Sequence, residues 1–227
     1  MKLILTCEHG GNEIPEKYRT LFKNKEAILE THSAFDLGAL DVFDHLKPLA
    51  HASFYSKQSR LLIELNRSLH HPKLFSIFSK SLSKLEQQDL IKTYTLYRNS
   101  VEECIKKLID AKERIIHISV HSFTPILNSV ERNCDIGLLF DSRISQEKAV
   151  CKGLKQNIIQ QDSTLKVRYN YPYLGKADGF TTYLRKQFPD NYIGIEIEIN
   201  QKYSDNNIMK PSIKTAVFKA LQSLDLN

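Results

Sequence analysis

Leu3-Ile4-Leu5-Thr6 runs straight into Cys7-Glu8-His9-Gly10-Gly11-Asn12-Glu13-Ile14-Pro15. The apolar run is far too short to cross a membrane and reads as a buried strand. A histidine stands where the run ends, and two glycines follow it. Adjacent glycines let the backbone turn sharply and approach a ligand closely. An imidazole beside such a turn is placed to bind a metal at the open edge of a sheet. A structural turn with an incidental histidine has the same sequence, so other strand ends must separate the two readings.

Further strand signals lie at Ala52-Tyr55, Leu61-Leu65, Ile115-Val120, Ile136-Phe140, Leu165-Tyr169 and Ile193-Ile199. Helical patterns fall between several of them. Ser33 predicts the cap of a helix through Leu37, Leu40, Phe43 and Leu46, with Asp36 in its first turn. A long helical region runs from about Phe78 to Lys112, with a possible break near Thr93-Thr95. Others are expected at Ser145-Gln160, Thr181-Gln187 and Pro211-Leu224. Strands alternating with helices imply an α/β fold whose mixed, largely parallel sheet is covered on both faces. With no repeat and no low-complexity linker, one domain over residues 1–227 is expected. In open α/β sheets the site lies beyond the carboxyl ends of the strands.

Three strand ends carry polar clusters. The first offers Glu8, His9 and Asn12. The run Ile115-Ile116-His117-Ile118-Ser119-Val120 ends in His121-Ser122-Phe123-Thr124-Pro125. Ile193-Gly194-Ile195-Glu196-Ile197-Glu198-Ile199 holds two carboxylates that share one side of the strand. Leu61-Leu62-Ile63-Glu64-Leu65 leads into Asn66-Arg67-Ser68. His117 reads as a core or supporting residue, and His121, just before a turn, as the better ligand candidate. Glu196 and Glu198 fit a solvated edge strand. They equally fit one buried glutamate whose pKa is raised by desolvation so that it can act as a base. Together these ends supply the inventory of a zinc amidohydrolase. Two histidines and a carboxylate hold the metal and leave a position for water. A further glutamate takes the water's proton. Arginine and asparagine grip a carboxylate or polarise a carbonyl.

Bulk properties set bounds. The 227 residues are 41% hydrophobic and 26% charged, ordinary for a globular core. No run reaches membrane-spanning length, and the first residues lack the apolar length of a secretory signal. The four cysteines, Cys7, Cys104, Cys134 and Cys151, form no CxxC pair and read as reduced thiols in a cytoplasm. Cys7 is a possible nucleophile, but a half-buried structural thiol is the better reading. Net charge is +6. The lysines are scattered over expected helix faces without an aromatic-basic motif, so nucleic acid is set aside and small anionic substrates are favoured.

Six segments in order carry a resemblance to the N-formylglutamate amidohydrolase family. They are Thr6-Cys7-Glu8-His9-Gly10-Gly11-Asn12 with Pro15, Thr31-His32-Ser33-Ala34-Phe35-Asp36-Leu37-Gly38-Ala39, Ser59-Arg60-Leu61-Leu62-Ile63-Glu64-Leu65-Asn66-Arg67, His121-Ser122-Phe123-Thr124-Pro125, Asn170-Tyr171-Pro172-Tyr173 and Ile197-Glu198-Ile199. The family is similar to zinc-dependent exopeptidases and the amidases sharing their fold. The resemblance implies a phosphorylase/hydrolase-like three-layer sandwich and hydrolysis of a small N-acyl amino acid. It implies Zn2+ or another divalent metal at His9, His121 and a carboxylate: Asp36 first, then Glu13, then Glu8. Glu198 matches the catalytic glutamate. Arg67 and Asn66 resemble a substrate-gripping pair, with Arg67 also at the developing oxyanion and Arg60 as a second cation. Asn12 and Tyr171 are further substrate-binding candidates. Where the family continues after its final glutamate with an arginine and then an aspartate, this chain has Asn200 and Lys202. That departure, and Glu-His-Gly-Gly at the start, mark a divergent branch. Another deacylase, a peptidoglycan-fragment amidase and a binding protein without activity stay open as alternatives.

Overall fold

A computed structural model describes residues 1–224 of the chain; the last three residues of the expected domain lie outside the described residues. In chain order the strands are β1 (Lys2–Cys7), β2 (Ala52–Tyr55), β3 (Ile115–Phe123), β4 (Ile126–Leu127), β5 (Val130–Glu131), β6 (Ile136–Leu139), β7 (Val167–Tyr169), β8 (Tyr192–Asn200), β9 (Ser204–Asp205) and β10 (Ile208–Met209). The α-helices are α1 (Ala39–Leu46), α2 (Lys84–Asp110), α3 (Ser145–Gln161), α4 (Phe180–Gln187) and α5 (Pro211–Gln222). Six strands form one sheet in the order β2-β1-β3-β8-β6-β7, while β4-β5 and β9-β10 are small hairpins. All pairings in the large sheet are parallel except β6 against β8. This is the mixed, mostly parallel α/β architecture that the alternation of elements implies.

Strand periodicity sorts the two faces. Leu3, Leu5, Ile116, Ile118, Val120 and the four odd-numbered isoleucines of β8 point to the side covered by α1, α3 and α5. Ile4, Ile115 and Tyr192 point the other way, against α2 and α4. The second face is therefore the one onto which Thr6, His117, Ser119, His121, Glu196 and Glu198 project. A separate apolar cluster under the loops joins Tyr18, Phe22, Phe35 and Phe78 to the start of α2.

Several expectations are corrected. Leu61-Leu65 is not a strand. Its backbone bonds locally and to the 34 and 74 segments, for example Arg60 N to Ala34 O (3.0 Å) and Glu64 N to Leu74 O (2.9 Å). Its apolar side chains fill the loop cluster, which explains an apolar run without sheet pairing. Ser33 caps no helix: α1 begins after Gly38, whose φ of 77° favours glycine. Asp36 thus precedes the helix, with its N–H bonded to the His9 carbonyl at 2.9 Å. The long helix starts at Lys84 under a capping box of Ser83 and Glu86 and is unbroken to Asp110. Thr93 is accommodated with its hydroxyl bonded to the Asp89 carbonyl (3.3 Å). β3 continues past Val120, so His121 belongs to the strand and pairs in register with Glu198.

The turn after β1 packs against the chain rather than opening toward a ligand. A Cβ on Gly11 would stand 2.7 Å from the Lys57 carbonyl oxygen, and the Gly10 N–H bonds to Ser56 O at 3.0 Å. Cys7 is wholly buried on the α1 side of the sheet, and burial raises its thiol pKa, which fits a structural residue and not a nucleophile.

Candidate active site

Register brings the polar residues of three strands into rows. Thr6 stands beside Ser119, and Ser119 beside Glu196. His121 stands beside Glu198. The deepest pair is structural: His117 Nε2 meets the Thr6 hydroxyl at 2.7 Å and Nδ1 the Tyr192 hydroxyl at 2.5 Å. Burial pushes the His117 pKa down to about 4, so this ring is a neutral core histidine.

Nearer the strand ends, residues far apart in sequence converge. Asp36 Oδ2 lies 2.9 Å from His121 Nδ1 and 3.4 Å from His9 Nδ1. The two rings are 5.0 Å apart, and one ligand atom from each of the three residues lies within 4.8 Å of the others. The far nitrogens are also held. His9 Nε2 bonds to Glu64 Oε1. His121 Nε2 meets Ser119 Oγ at 2.8 Å and Glu8 Oε2 at 3.3 Å. An imidazole oriented through its outer nitrogen by a carboxylate is the arrangement that fixes metal-ligating histidines.

The charges fit a divalent cation. Burial opposes ionisation of Glu8, Asp36 and Glu64, yet all three carboxyls are held well below the usual range. For Glu8 the holding contact is His121; for Asp36 it is His9, His121 and Arg60; for Glu64 it is Arg60 and His9. Burial opposes charging of His121 too, but Asp36 and Glu8 raise its pKa well above the ordinary histidine value. Arg60 bridges Asp36 Oδ1 (3.1 Å) and Glu64 Oε2 (Nε at 2.8 Å). Three carboxylates against one guanidinium leave an excess of two negative charges. Two imidazolium protons balance it, and so does one divalent cation with both rings neutral.

His9, Asp36, Arg60 and His121 line a cleft of about 300 Å³. Glu196, Glu198, Asn66, Arg67 and the segment around Tyr173 and Asp178 also line it. Glu196 accepts from the Thr181 hydroxyl at 2.7 Å. Glu198 is different. Its buried Oε2 has no hydrogen-bond partner among the described residues. Burial raises its pKa to about 8, with Asp36 and Glu196 adding to the effect against His121. Asn66 accepts from the first N–H of α4 (Phe180, 2.6 Å) and turns its Nδ2 to His121 Nε2 at 3.4 Å. Arg67 donates to the Asp178 carbonyl.

Of the residues singled out in the sequence, His9, Asp36, His121, Glu198, Arg67, Asn66 and Arg60 meet in this cleft. Asn12 does not. Its amide donates to Leu29 O and Glu30 (both 3.0 Å) beside a different cavity. Tyr171 is not among the lining residues; its ring lies under the Arg168 guanidinium at 3.8 Å, and Tyr173 takes the cleft position. Glu13 is exposed, and Glu8 stands behind His121. Arg60 is neutralised by two carboxylates, so it offers the cleft little free charge. Asn200 and Lys202 are structural: Asn200 Nδ2 donates to Cys134 O (2.8 Å) and Lys202 pairs with Asp135 at 2.5 Å. Glu64 went unrecognised as a site residue, although a carboxylate inside the apolar run Leu61-Leu65 carries the same signal as Glu196 and Glu198.

The chain is similar to known proteins in sequence and in fold. The family model for N-formylglutamate amidohydrolase matches residues 1–204. Gene product Atu2144 from Agrobacterium tumefaciens is similar at a TM-score of 0.81 and 28% identity, covering 98% of this chain and 91% of that one. N-formylglutamate amidohydrolase from Ralstonia eutropha JMP134 shares the fold at a TM-score of 0.71 and 15% identity, over 98% of this chain and 90% of that one. No curated protein sequence matches the chain. No helix of the described residues is long and apolar enough to cross a membrane. The chain belongs to the N-formylglutamate amidohydrolase family, hydrolases acting on amide bonds.

Proposed function

We propose that the protein hydrolyses the amide of a small, anionic N-acyl amino acid, with Zn2+ or a similar divalent metal held by His9, Asp36 and His121. The observation that carries this is the convergence of His9 Nδ1, His121 Nδ1 and Asp36 Oδ2 in a cleft also lined by Glu198, whose Oε2 has no hydrogen-bond partner among the described residues. Two histidines and a carboxylate form a donor set that suits zinc and leaves room for a water. When bound, such a metal lowers the pKa of water toward about 7 and polarises an amide carbonyl.

The protein's own groups do the rest. Glu198 Oε2 takes the proton of the attacking water and returns it to the leaving nitrogen. A carboxyl with a pKa near 8 is matched to both tasks close to neutral pH. A cation at the three donors would draw that value down and favour the base form. Arg67, steadied by the Asp178 carbonyl, stabilises negative charge developing on the carbonyl oxygen. Glu64 and Glu8 keep His9 and His121 in place through their outer nitrogens. A cleft of about 300 Å³ suits a small acyl amino acid better than a cell-wall fragment.

The test uses two variants. Glu198→Gln with metal bound is expected to lose about 10²–10⁴ in kcat on N-acyl amino acids. Parent-like turnover removes Glu198 from the role of base. His9→Ala is expected to lose bound metal by elemental analysis, and full retention displaces it as a ligand.

A further inference from the structure

Arg132 makes no ion pair among the described residues, although it is only 9% exposed. Its guanidinium lies 5.1 Å from the Tyr173 ring centre and 5.9 Å from that of Phe123, and Nη1 donates to the Tyr173 hydroxyl at 3.1 Å. No carboxylate among the described residues faces this mostly covered guanidinium, and aromatic faces supply only part of what a carboxylate would. Arg60, by contrast, already faces two carboxylates.

Tyr173 carries this charge to the cleft wall. It lines the cavity and keeps 46% of its surface exposed. Because its oxygen accepts from Arg132, its own proton is available to another acceptor. Partial burial, together with Glu198 and Asp36, raises the pKa of the hydroxyl, so it remains a donor. The Asn200 side chain fixes the arrangement. It donates to the carbonyls of Arg132 (3.4 Å) and Cys134 (2.8 Å), tying that segment to the end of β8 two residues beyond Glu198.

We propose that Tyr173, backed by Arg132, is an anion-binding subsite that takes the carboxylate of the acyl amino acid, separately from the residues that handle the amide. This rests on the amidohydrolase reading above and adds to it the determinant of substrate charge. Tyr173 is the group that touches substrate; Arg132 is a positioning residue that strengthens the hydroxyl as a donor.

The experiment compares the parent enzyme, Tyr173→Phe and Arg132→Gln on one N-acyl amino acid and on its neutral carboxamide analogue. The readout is the ratio of kcat/KM for the two substrates. That ratio is expected to fall about tenfold or more in both variants, mainly through KM for the charged substrate, as one charge-assisted hydrogen bond is lost. Arg132→Lys is expected to recover part of it. An unchanged ratio in Tyr173→Phe overturns the proposal, as does a kcat loss shared equally by both substrates. Tyr173→Phe removes a single hydroxyl from a half-exposed ring, so it decides the matter even if Arg132→Gln does not fold. A parent enzyme inactive on every N-acyl amino acid overturns the amidohydrolase reading as well, which separates the two failures.

Discussion

Replacing Glu198 by glutamine should make the metal-free protein more stable at alkaline pH while removing its catalytic power. The carboxyl is buried, one oxygen lacks a partner among the described residues, and its pKa rises from 4.5 to about 8. The raised value means that the folded protein keeps the proton that the unfolded chain gives up. Below 4.5 both states are protonated and the group is neutral to stability. As pH climbs from 4.5 to 8, stability is lost progressively. At about 1.4 kcal/mol per pH unit the ceiling is about 5 kcal/mol at pH 8.5. Water entering the cleft reduces this, and roughly 2–4 kcal/mol is the expected loss. Glutamine has nearly the same shape and cannot ionise, so the variant escapes that loss. Urea unfolding of parent and Glu198→Gln, both in chelator, at pH 5 and pH 8.5 measures it. The double difference cancels titration of the other cleft groups. The two proteins should lie within about 1 kcal/mol of each other at pH 5, with the variant ahead by several at pH 8.5. A gap that stays constant across that range refutes a protonated, desolvated Glu198.

Two further outcomes are expected. Glu64→Gln keeps the shape of the His9 support but removes its charge, so zinc affinity measured by competition with a chromogenic chelator should drop about 10–100-fold with the fold intact by circular dichroism; unchanged affinity would mean that Glu64 only neutralises Arg60. Arg185→Met leaves Glu147 charged and wholly buried, without its 2.7 Å partner and without the guanidinium donors to Gly175 and Gly194. Urea midpoints should report a loss of about 3–5 kcal/mol, and a loss under 1 kcal/mol would show that water replaces the pair.

What the sequence determined by itself was local. Two-residue periodicity in Ile193-Ile199 was enough to place Glu196 and Glu198 on one strand face, because alternation is a property of the extended backbone, whereas ending the strand from Ile115 at Val120 left His121 outside it. The alternation of strands and helices was enough for a mixed, mostly parallel sheet. Local pattern misread Leu61-Leu65, since an apolar run records burial and not the partner that buries it. Only the tertiary structure decided which carboxylate stands between the histidines. Asp36 does so because residues 31–38 turn back and bond to the His9 carbonyl, while Glu13 faces solvent and Glu8 lies behind His121. It alone brought Glu64 to the outer nitrogen of His9 and Arg132 to Tyr173. Such meetings depend on where loops of the chain return, and no spacing between neighbouring residues encodes that path.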